Sequence, residues 1–433
     1  MTVPLGDSPP RVGGLPLAGN AFDMYRDPDA FLARCYRDHG PVFEITVPGR
    51  RLTVLAGPQA IAFCNAEGRH CLGAAGAYRQ FYAAFDMLDF SLALDGAPHR
   101  QVRQLYTAGY GRQRAQDHLP DIRRIACEHA RAHAGRKHVD LVVLLRRLVA
   151  DQLGAVCMKM LPGGATDALA RVASDYMQVH VEHSKPASLL RGRGHRARLQ
   201  AIEHMAAAAV AGRSRYDALC RRDCLIDDLL AADPTGKQAR TGVIGSYLAG
   251  IDNLAGTLAF LFAELLCRPQ LMKLVRDEAY KAMPGVAVLD GADSSGHPVQ
   301  TLSILRETMR VHPVSPLLPR VAIRDFDFAG RHVSAGTHIL LAIAAADRPA
   351  FDLHRALHND PGAPGDFAPY GAGPHACPAI GFAELSMVAT VFALLTTVRI
   401  TLADPCYRLR IARKPSPVPA RLHVDFAKVS REA

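Results

Sequence analysis

Cys377 is the residue of this sequence best placed for chemistry. It ends the loop Tyr370-Gly371-Ala372-Gly373-Pro374-His375-Ala376-Cys377 and precedes an apolar segment that we expect to be helical from about Pro378. A thiolate at the N-terminus of a helix is stabilised by backbone N–H groups and by the helix dipole. The glycines let the backbone pass close to a flat ligand, and N–H groups that donate to sulfur tune its electron release. The loop therefore fits an iron-bound cysteine, although the same pattern is compatible with an unreactive thiol.

A carboxylate and a guanidinium lie three residues apart in Glu307-Thr308-Met309-Arg310. At this spacing both side chains lie on one face of a helix, where they form an ion pair. Pro313 is expected to end that helix, and Arg320 follows in a region of strand composition. Taken alone, the pair indicates a surface salt bridge. Its order and distance relative to Cys377 make it a candidate for a structural role.

Residues 241–266 form a nearly continuous apolar run, and about 20 such residues are enough to span a bilayer. Asp252, Asn253 and Glu264 interrupt the run, and an ionisable residue in the middle of a membrane is energetically costly. A buried central helix is therefore favoured over a membrane span. Inside a core, the carboxylate of Asp252 needs a partner or a function.

The remaining pattern predicts a mainly α-helical protein with a small β subdomain. A proline- and glycine-rich opening over 9–19 leads into a helix over 30–37, and a hairpin is expected around Pro48-Gly49. From residue 59 to about 230 the apolar periodicity is helical. The expected strands are 42–46, 51–55, 326–328, 332–333 and 337–342, and helix returns at 378–395.

Composition and charge limit the classes of partner. The chain has 433 residues, of which 49% are hydrophobic and 21% charged, as in a folded globular protein. Its net charge of +10 favours an acidic protein partner, whereas the scattered basic residues lack the aromatic interleaving of a nucleic-acid platform. Ten cysteines without a pairing rhythm, and residues 1–11 without a targeting signal, predict a cytoplasmic protein with no membrane anchor. Cys220 and Cys224 are spaced like a metal pair, but scattered core thiols explain them better.

The sequence resembles the cytochrome P-450 superfamily, of the soluble bacterial type, over nearly its whole length. Glu307 and Arg310 match the family's Glu-x-x-Arg helix. The family's cysteine loop is matched by Cys377, Gly371, Gly373 and His375. The resemblance implies a heme-thiolate enzyme in which Cys377 is the axial ligand of a heme b iron.

The stretch from Asp95 to Arg103 is similar to the family's helix with a His-x-x-x-Arg motif, whose His and Arg face the heme propionates. The resemblance therefore implies propionate contacts from His99, Arg103, Arg320 and His375. This is reasonable chemistry, because the heme carboxylates need charge-assisted donors and the guanidinium group is a planar fork suited to them.

The motif Ala249-Gly250-Ile251-Asp252-Asn253-Leu254 resembles the family's oxygen-binding stretch, where small residues and a local distortion leave room for dioxygen. Gly250 is accordingly expected at the cofactor, and Asp252 matches the family's catalytic acid. Asn253 occupies the position of the usual Thr and is expected to act with Asp252. An amide can hold a water but is not a comparable acid, which leaves open peroxide use or an oxygen-independent rearrangement.

Other departures from the family pattern surround the motifs. Around the sulfur they are Tyr370 for the usual Phe, Pro378 directly after the ligand, and Ala379 for the usual Gly. Pro378 removes a backbone N–H that could otherwise donate nearby. Ala350 lies where an Arg usually joins the Glu-x-x-Arg pair, and Arg348 or His354 is the expected substitute.

These expectations describe one heme-thiolate domain over 1–433, with β-containing parts at about 41–57 and 314–345 and a helical body at about 59–312 and 378–396. The expected reaction inserts one atom of dioxygen into an apolar small molecule of secondary metabolism. No Gly-x-Gly-x-x-Gly motif lies between a strand and a helix, so electrons are expected from a separate ferredoxin or flavodoxin. The alternatives are the atypical chemistries above, a non-catalytic heme-binding protein, and a heme-free interaction protein with a decayed site.

Substrate contacts are expected from segments 77–92, 180–198, 248–254 and 314–318. The side chains expected to line an apolar pocket are Phe81, Phe85, Phe90, Leu248, Ile251, Leu317 and Leu318. Segment 180–198 is equally compatible with a helical hairpin that touches no ligand.

Overall fold

The computed structural model of the chain describes residues 7–176, 178–179, 187–214, 223–282, 300–343, 350–358, 368–413 and 416–429. The chain divides into two compact units. The first unit comprises Met1–Arg100, Ser315–Ala350 and Pro361–Cys377, and the second comprises Gln101–Val314, Phe351–Asp360 and Pro378–Ala433. One domain over 1–433 stays a prediction.

Helices dominate the secondary structure, as predicted. The helices are α1 Ala21–Arg26, α2 Pro28–His39, α3 Gly57–Asn65, α4 Ala75–Ala83, α5 Gly96–Gly109, α6 Arg112–Asp117, α7 Leu119–His133, α8 Leu141–Met158, α9 Ala165–Tyr176, α10 Arg193–Ser214, α11 Leu225–Ala232, α12 Lys237–Cys267, α13 Pro269–Ala282, α14 Gln300–Val311, α15 Leu353–His358 and α16 Ile380–Thr397. The strands are β1 Val42–Val47, β2 Arg50–Ala56, β3 Leu72–Gly73, β4 Val139–Asp140, β5 Leu317–Ala322, β6 Phe326–Phe328, β7 Arg331–Val333, β8 His338–Ala342, β9 Val398–Leu402, β10 Ile411–Ala412, β11 Val418–Pro419 and β12 His423–Lys428.

The first unit is built on a five-stranded sheet in the order β1-β2-β8-β5-β3. The predicted hairpin is confirmed, with β1 and β2 antiparallel and Val47 opposite Arg50. Alternate residues of these strands enter different core clusters, because successive side chains of a strand point to opposite faces. Phe43 packs in one cluster with α2, and Val42 packs in the other with α3. The sheet therefore supplies a rigid frame for β5, which carries Arg320.

The second unit is organised around long apolar helices. The predicted central helix is observed as α12, and most of its residues are buried, as are those of α16. Segments Lys237–Cys267 and Gly373–Thr397 are long and apolar enough to cross a membrane, but 67% and 78% of their most apolar windows are buried inside the protein. Helices that are hydrophobic all round are expected in the core of a large protein.

The β content extends beyond the predicted regions. In the second unit β9, β12 and β4 form a three-stranded sheet in the order β4-β12-β9, and β10 pairs with β11. The alternation that marks a strand does exist in β12, where Val424 and Phe426 are buried between less buried neighbours. These strands were not predicted because several have only two residues, too few to show the alternation of apolar and polar residues.

Candidate functional site

The loop that carries Cys377 is closed by its own backbone. The N–H of Cys377 donates to the carbonyl of Tyr370 at 2.8 Å, and the N–H of Ala376 donates to the carbonyl of Gly373 at 3.0 Å. The Cys377 side chain is half-buried and forms no disulfide. Helix α16 begins at Ile380 rather than near Pro378 as predicted, because the two intervening residues form a turn. The loop is thus a preformed turn that presents the sulfur just before a helix.

Gly371 and Gly373 are required by the backbone of this loop. Their φ angles are +78° and +72°, in the left-handed region that favours glycine. A Cβ at Gly373 would also lie 2.7 Å from the carbonyl oxygen of Cys64, and the Gly373 N–H donates to Oδ1 of Asn65 at 2.8 Å. The expectation that these glycines permit close backbone approach is consistent with this geometry, although the neighbour is α3 of the same unit.

His375 and His99, both predicted to be propionate ligands, lie against each other in the first unit. Their ring centroids are 4.0 Å apart with the planes inclined at 42°, and both side chains are buried. Nε2 of His375 lies 2.9 Å from Oδ1 of Asp95. The motif that begins at Asp95 assigned no role to this residue. Its position directly before Gly96, where α5 begins, was the one indication in the sequence that it has a structural role.

Arg320 is a buried cation whose side chain lies in the first unit. It is 5% exposed, and its guanidinium donates to the carbonyl of Pro319 at 2.8 Å. Within the described ranges, none of the ion pairs involves Arg320. Burial raises the pKa of the neighbouring Cys64 thiol to about 12, and the Arg320 charge opposes that rise. A buried guanidinium usually has an anionic partner, so this position fits the carboxylate of a ligand.

Arg103 follows His99 one helical turn later on α5. Its side chain is half-buried. Spacing of four residues on a helix places His99 and Arg103 on the same side of α5, as the His-x-x-x-Arg motif requires.

The Glu-x-x-Arg pair forms a buried, two-pronged ion pair in the second unit. Nε and Nη2 of Arg310 donate to the Glu307 carboxylate at 2.7 and 2.6 Å, and both side chains are nearly inaccessible. The backbone N–H of Asp352 adds a third donor to Glu307 at 2.8 Å. The pair is therefore not the surface salt bridge that the two residues alone would indicate, and it ties α14 to the start of α15.

The second guanidinium near Glu307 comes from Arg355. Its Nε lies 3.8 Å from Oε2 of Glu307. Arg348 and His354 were predicted to take the role of the Arg that is usual at the position of Ala350. Arg348 lies outside the described residues, and the backbone N–H of His354 donates to Oδ1 of Asp352. Arg355 was missed because it follows the expected position by five residues, in a short helix that the loop-like composition concealed.

Asp252 and Asn253 occupy the middle of α12. Nε of Arg146 on α8 donates to Oδ1 of Asp252 at 2.7 Å, so the carboxylate has the partner that its position demanded. Nδ2 of Asn253 donates to the carbonyl of Ala249 at 2.7 Å, and the residue is exposed. Thr257 donates its hydroxyl to the carbonyl of Asn253 at 2.8 Å. Arg146 was not anticipated, since sequence spacing gives no indication of a contact between distant helices.

The small size of Gly250 has a packing explanation. A Cβ at this position would lie 2.8 Å from Cδ1 of Leu153 on α8. The predicted local distortion is absent, because α12 is continuous helix through Gly250. Gly250 therefore allows close packing of two helices, and the geometry offers no support for its predicted place at the cofactor.

The residues predicted to line an apolar pocket belong to both units. Phe81, Phe85 and Phe90 are buried and form an aromatic cluster with Tyr82, with ring centroids 4.8 to 5.6 Å apart. Leu317 and Leu318 pack at the edges of the two core clusters of the first unit. Ile251 is buried and Leu248 half-buried on α12. Much of segment 180–198, including His180, lies outside the described residues.

The metal pair considered for Cys220 and Cys224 gains no support from the described residues. Cys220 lies outside the described residues, and Cys224 groups with Asp223 and Asp227. Arg213 donates to both carboxylates, at 2.5 Å to Asp223 and at 2.5 and 2.8 Å to Asp227. A guanidinium therefore already offsets part of the negative charge of this cluster.

Comparison with known proteins identifies the family. The chain matches the family Cytochrome P450 over residues 9–407. It is 27% identical over 430 residues to a cytochrome P450 BJ-4 homolog of Sinorhizobium fredii, covering 90% of this chain and 89% of that protein. It is 22% identical to abscisic acid 8'-hydroxylase 1 of Oryza sativa, covering 90% of this chain and 84% of the relative.

Solved structures of this family share the fold. A retinoic acid-bound cyanobacterial CYP120A1 superposes with a TM-score of 0.79 at 20% identity, covering 98% of this chain and all of the other. The heme domain of cytochrome P450DA gives the same TM-score at 18% identity, covering 98% of each chain. The family implies a heme iron cofactor, a redox partner and a small-molecule substrate. With its mainly helical fold and small sheets, its match over residues 9–407 and its P450 relatives, this chain belongs to the cytochrome P450 family of monooxygenases.

Proposed function

We propose that the protein is a heme b monooxygenase that inserts one atom of dioxygen into an apolar small molecule, with electrons from a separate ferredoxin or flavodoxin. The observation that carries the proposal is the loop of Cys377, which is preformed and lies in the same unit as a buried Arg320 that no carboxylate neutralises among the described residues. A heme would suit both features, since it offers iron to the thiolate and propionates to the guanidinium.

The residues that would hold the heme differ in chemistry. Cys377 would ligate the iron as a thiolate, and Gly371 and Gly373 would keep side chains away from the loop backbone. The propionates would be bound by His99, Arg103, Arg320 and His375. Glu307 and Arg310 would stabilise the fold around α14 rather than touch the cofactor, because their carboxylate and guanidinium already satisfy each other.

When bound, the heme would supply the iron at which dioxygen is activated. This chain's own contribution would be to deliver protons and exclude water. Asp252 would place a proton-accepting carboxylate within α12, and its ion pair with Arg146 would fix the position of that carboxylate. Asn253 would hold a water molecule in place of the usual hydroxyl.

Similar proteins support the proposed class of substrate, and the net charge supports the proposed electron donor. A relative named as an abscisic acid hydroxylase and a structural neighbour with retinoic acid bound support a substrate with an apolar carbon skeleton. The net charge of +10 favours an acidic donor such as a ferredoxin or flavodoxin. A cytoplasmic location and a role in secondary metabolism complete the proposal.

The first experiment is the carbon monoxide difference spectrum of the reduced protein. We expect the red-shifted Soret band that a thiolate ligand trans to carbon monoxide produces, and its loss in Cys377→Ser. Cys406→Ser, which changes an exposed thiol, is the control and should keep the band. The ligand assignment would be contradicted by a band at the histidine-type position in the wild type. It would also be contradicted if Cys377→Ser kept the red-shifted band.

A second candidate function is peroxide use or an oxygen-independent rearrangement. It is favoured by the side chain of Asn253, which lacks a hydroxyl and donates its amide to the carbonyl of Ala249. The two functions separate when candidate substrates are incubated without reductant. Product formed from peroxide alone, or with no oxidant, would favour the second; product that requires both reductant and dioxygen would favour the first.

A further inference from the structure

One carboxylate connects three segments of the first unit. Oδ1 and Oδ2 of Asp95 accept hydrogen bonds from the backbone N–H groups of Ala74 at 2.9 Å and Ala75 at 3.1 Å. Oδ1 also lies 2.9 Å from Nε2 of His375. The start of α4, the residue before α5 and the loop of Cys377 therefore meet at a single side chain.

The carboxylate requires Nε2 of His375 to carry a hydrogen. Burial raises the pKa of Asp95, but the hydrogen bonds from His375 and from Ala74 outweigh burial, so the pKa lies below its usual value. An ionised carboxylate only accepts hydrogen bonds, so Nε2 of His375 is the donor. The side chain of His375 is 4% exposed, which leaves the ring few alternative orientations.

The position of the His375 ring affects that of His99, and the Asp95 carboxylate has room because Gly73 has no side chain. The His375 ring packs on the His99 ring at 4.0 Å, so a rotation of one displaces the other. On the opposite side of Asp95, a Cβ at Gly73 would lie only 2.5 Å from Oδ2. The absence of a side chain at Gly73 leaves room for the carboxylate.

We propose that Asp95 is a positioning residue for the cofactor-binding loop: by accepting from Nε2 of His375 it orients the His375 ring, and through it His99, for heme binding. The inference rests on the proposed heme function. It concerns the orientation of the rings, and Asp95 itself does not touch the cofactor.

The test is a double-mutant cycle on the loaded protein, with Asp95→Ala, His375→Ala and the double variant. The readouts are the rate of heme transfer to apomyoglobin and the midpoint reduction potential. Because a charge-assisted hydrogen bond is lost, we expect Asp95→Ala to release heme about tenfold faster than the wild type. In the His375→Ala background the same change should have little further effect, since the residue through which Asp95 acts is gone.

The competing explanation is that Asp95 only holds the backbone of Ala74 and Ala75. In that case Asp95→Ala would accelerate heme loss by the same factor in both backgrounds, and the proposal would be overturned. Asp95→Leu, which has a similar shape but accepts no hydrogen bond, serves if the alanine variant does not fold; heme loss at the wild-type rate would equally overturn the proposal. Asp27→Asn is the matched control, because it alters a carboxylate that accepts from the N–H of Ala30 at the start of α2.

The failure of this inference is distinct from failure of the proposed function. If the wild-type protein gives no thiolate band with carbon monoxide, the heme assignment falls and the positioning role falls with it. If the wild-type band is present and the cycle shows no coupling between Asp95 and His375, only the positioning role is rejected.

Discussion

The acid on α12 shows how one charge is accommodated inside an apolar helix. The side chains of Asp252 and Arg146 are 17% and 25% exposed, and their atoms are 2.7 Å apart. A partly buried carboxylate is costly without a partner, so Arg146 lets an acid persist in the middle of a largely apolar helix of the second unit. The adjacent Arg147 has no such role, since its side chain is 60% exposed and lies 3.8 Å from that of Asp167, which is 82% exposed.

The neighbouring arginines provide a matched pair of variants. We expect Arg146→Gln to lower the free energy of unfolding by about 1–2 kcal/mol, because it leaves the Asp252 carboxylate without its charged donor. Arg147→Gln should change it by less than about 0.5 kcal/mol, as is usual for an exposed pair. Urea denaturation of both variants at neutral pH measures the difference. Equal effects would show that the Arg146 contact contributes no more than a surface ion pair.

At the scale of elements, glycines determine how closely the helices of the second unit approach. A Cβ at Gly242 would lie 2.2 Å from Cδ1 of Leu229 on α11, and one at Gly256 would lie 3.0 Å from Cγ1 of Val314. These glycines of α12 let neighbouring side chains pack against the backbone of the helix, which favours dense packing of the core.

Gly154 on α8 makes the most restrictive of these contacts. A Cβ there would lie 2.4 Å from the backbone carbonyl oxygen of Met160 and 2.9 Å from the hydroxyl of Tyr247. Replacing a helical glycine by alanine normally adds up to about 1 kcal/mol of stability. We expect Gly154→Ala instead to destabilise the protein by about 1–3 kcal/mol, because a backbone atom must move. Thermal or urea unfolding measures this change.

The control for Gly154→Ala lies on α10. A Cβ at Gly212 would meet nothing within 4 Å, and the residue is exposed. Gly212→Ala should therefore raise the free energy of unfolding by about 0.5–1 kcal/mol through helix propensity alone. If both variants are stabilising, the close contact at Gly154 is relieved by small shifts, and the packing explanation is wrong.

At the scale of the whole molecule, the sequence predicted features that depend on local pattern and missed those that depend on long-range contacts. The mainly α fold, the hairpin of β1 and β2 and the long helix α12 follow from periodicity and turn residues. The roles of Asp95, Arg146 and Arg355 do not, because each depends on a partner more than 40 residues away. The packing of Gly250 could not be predicted for the same reason, since its partner Leu153 lies on another helix.

Buried thiols in both units make the stability of the protein depend on pH in the alkaline range. Burial raises the pKa of Cys35 and Cys157 to about 11, and that of Cys224 to about 12. In the unfolded chain these thiols lose their protons near pH 9, whereas in the folded protein they keep them. Their contribution to stability is therefore fully present below pH 9 and is lost as the pH rises toward 11 or 12.

Cys157 allows this linkage to be measured at one site, because it is only 1% exposed on α8 and its thiol donates to the Tyr110 hydroxyl at 3.7 Å. Each proton released on unfolding steepens the loss of stability by up to about 1.4 kcal/mol per pH unit. We expect Cys157→Ala to reduce the slope of unfolding free energy against pH between 9 and 11, whatever its effect at pH 7.5. The exposed Cys406→Ser should keep the wild-type slope. If the slope of Cys157→Ala matches that of the wild type, the Cys157 thiol titrates alike in the folded and unfolded states, and alkaline unfolding must be traced to other groups.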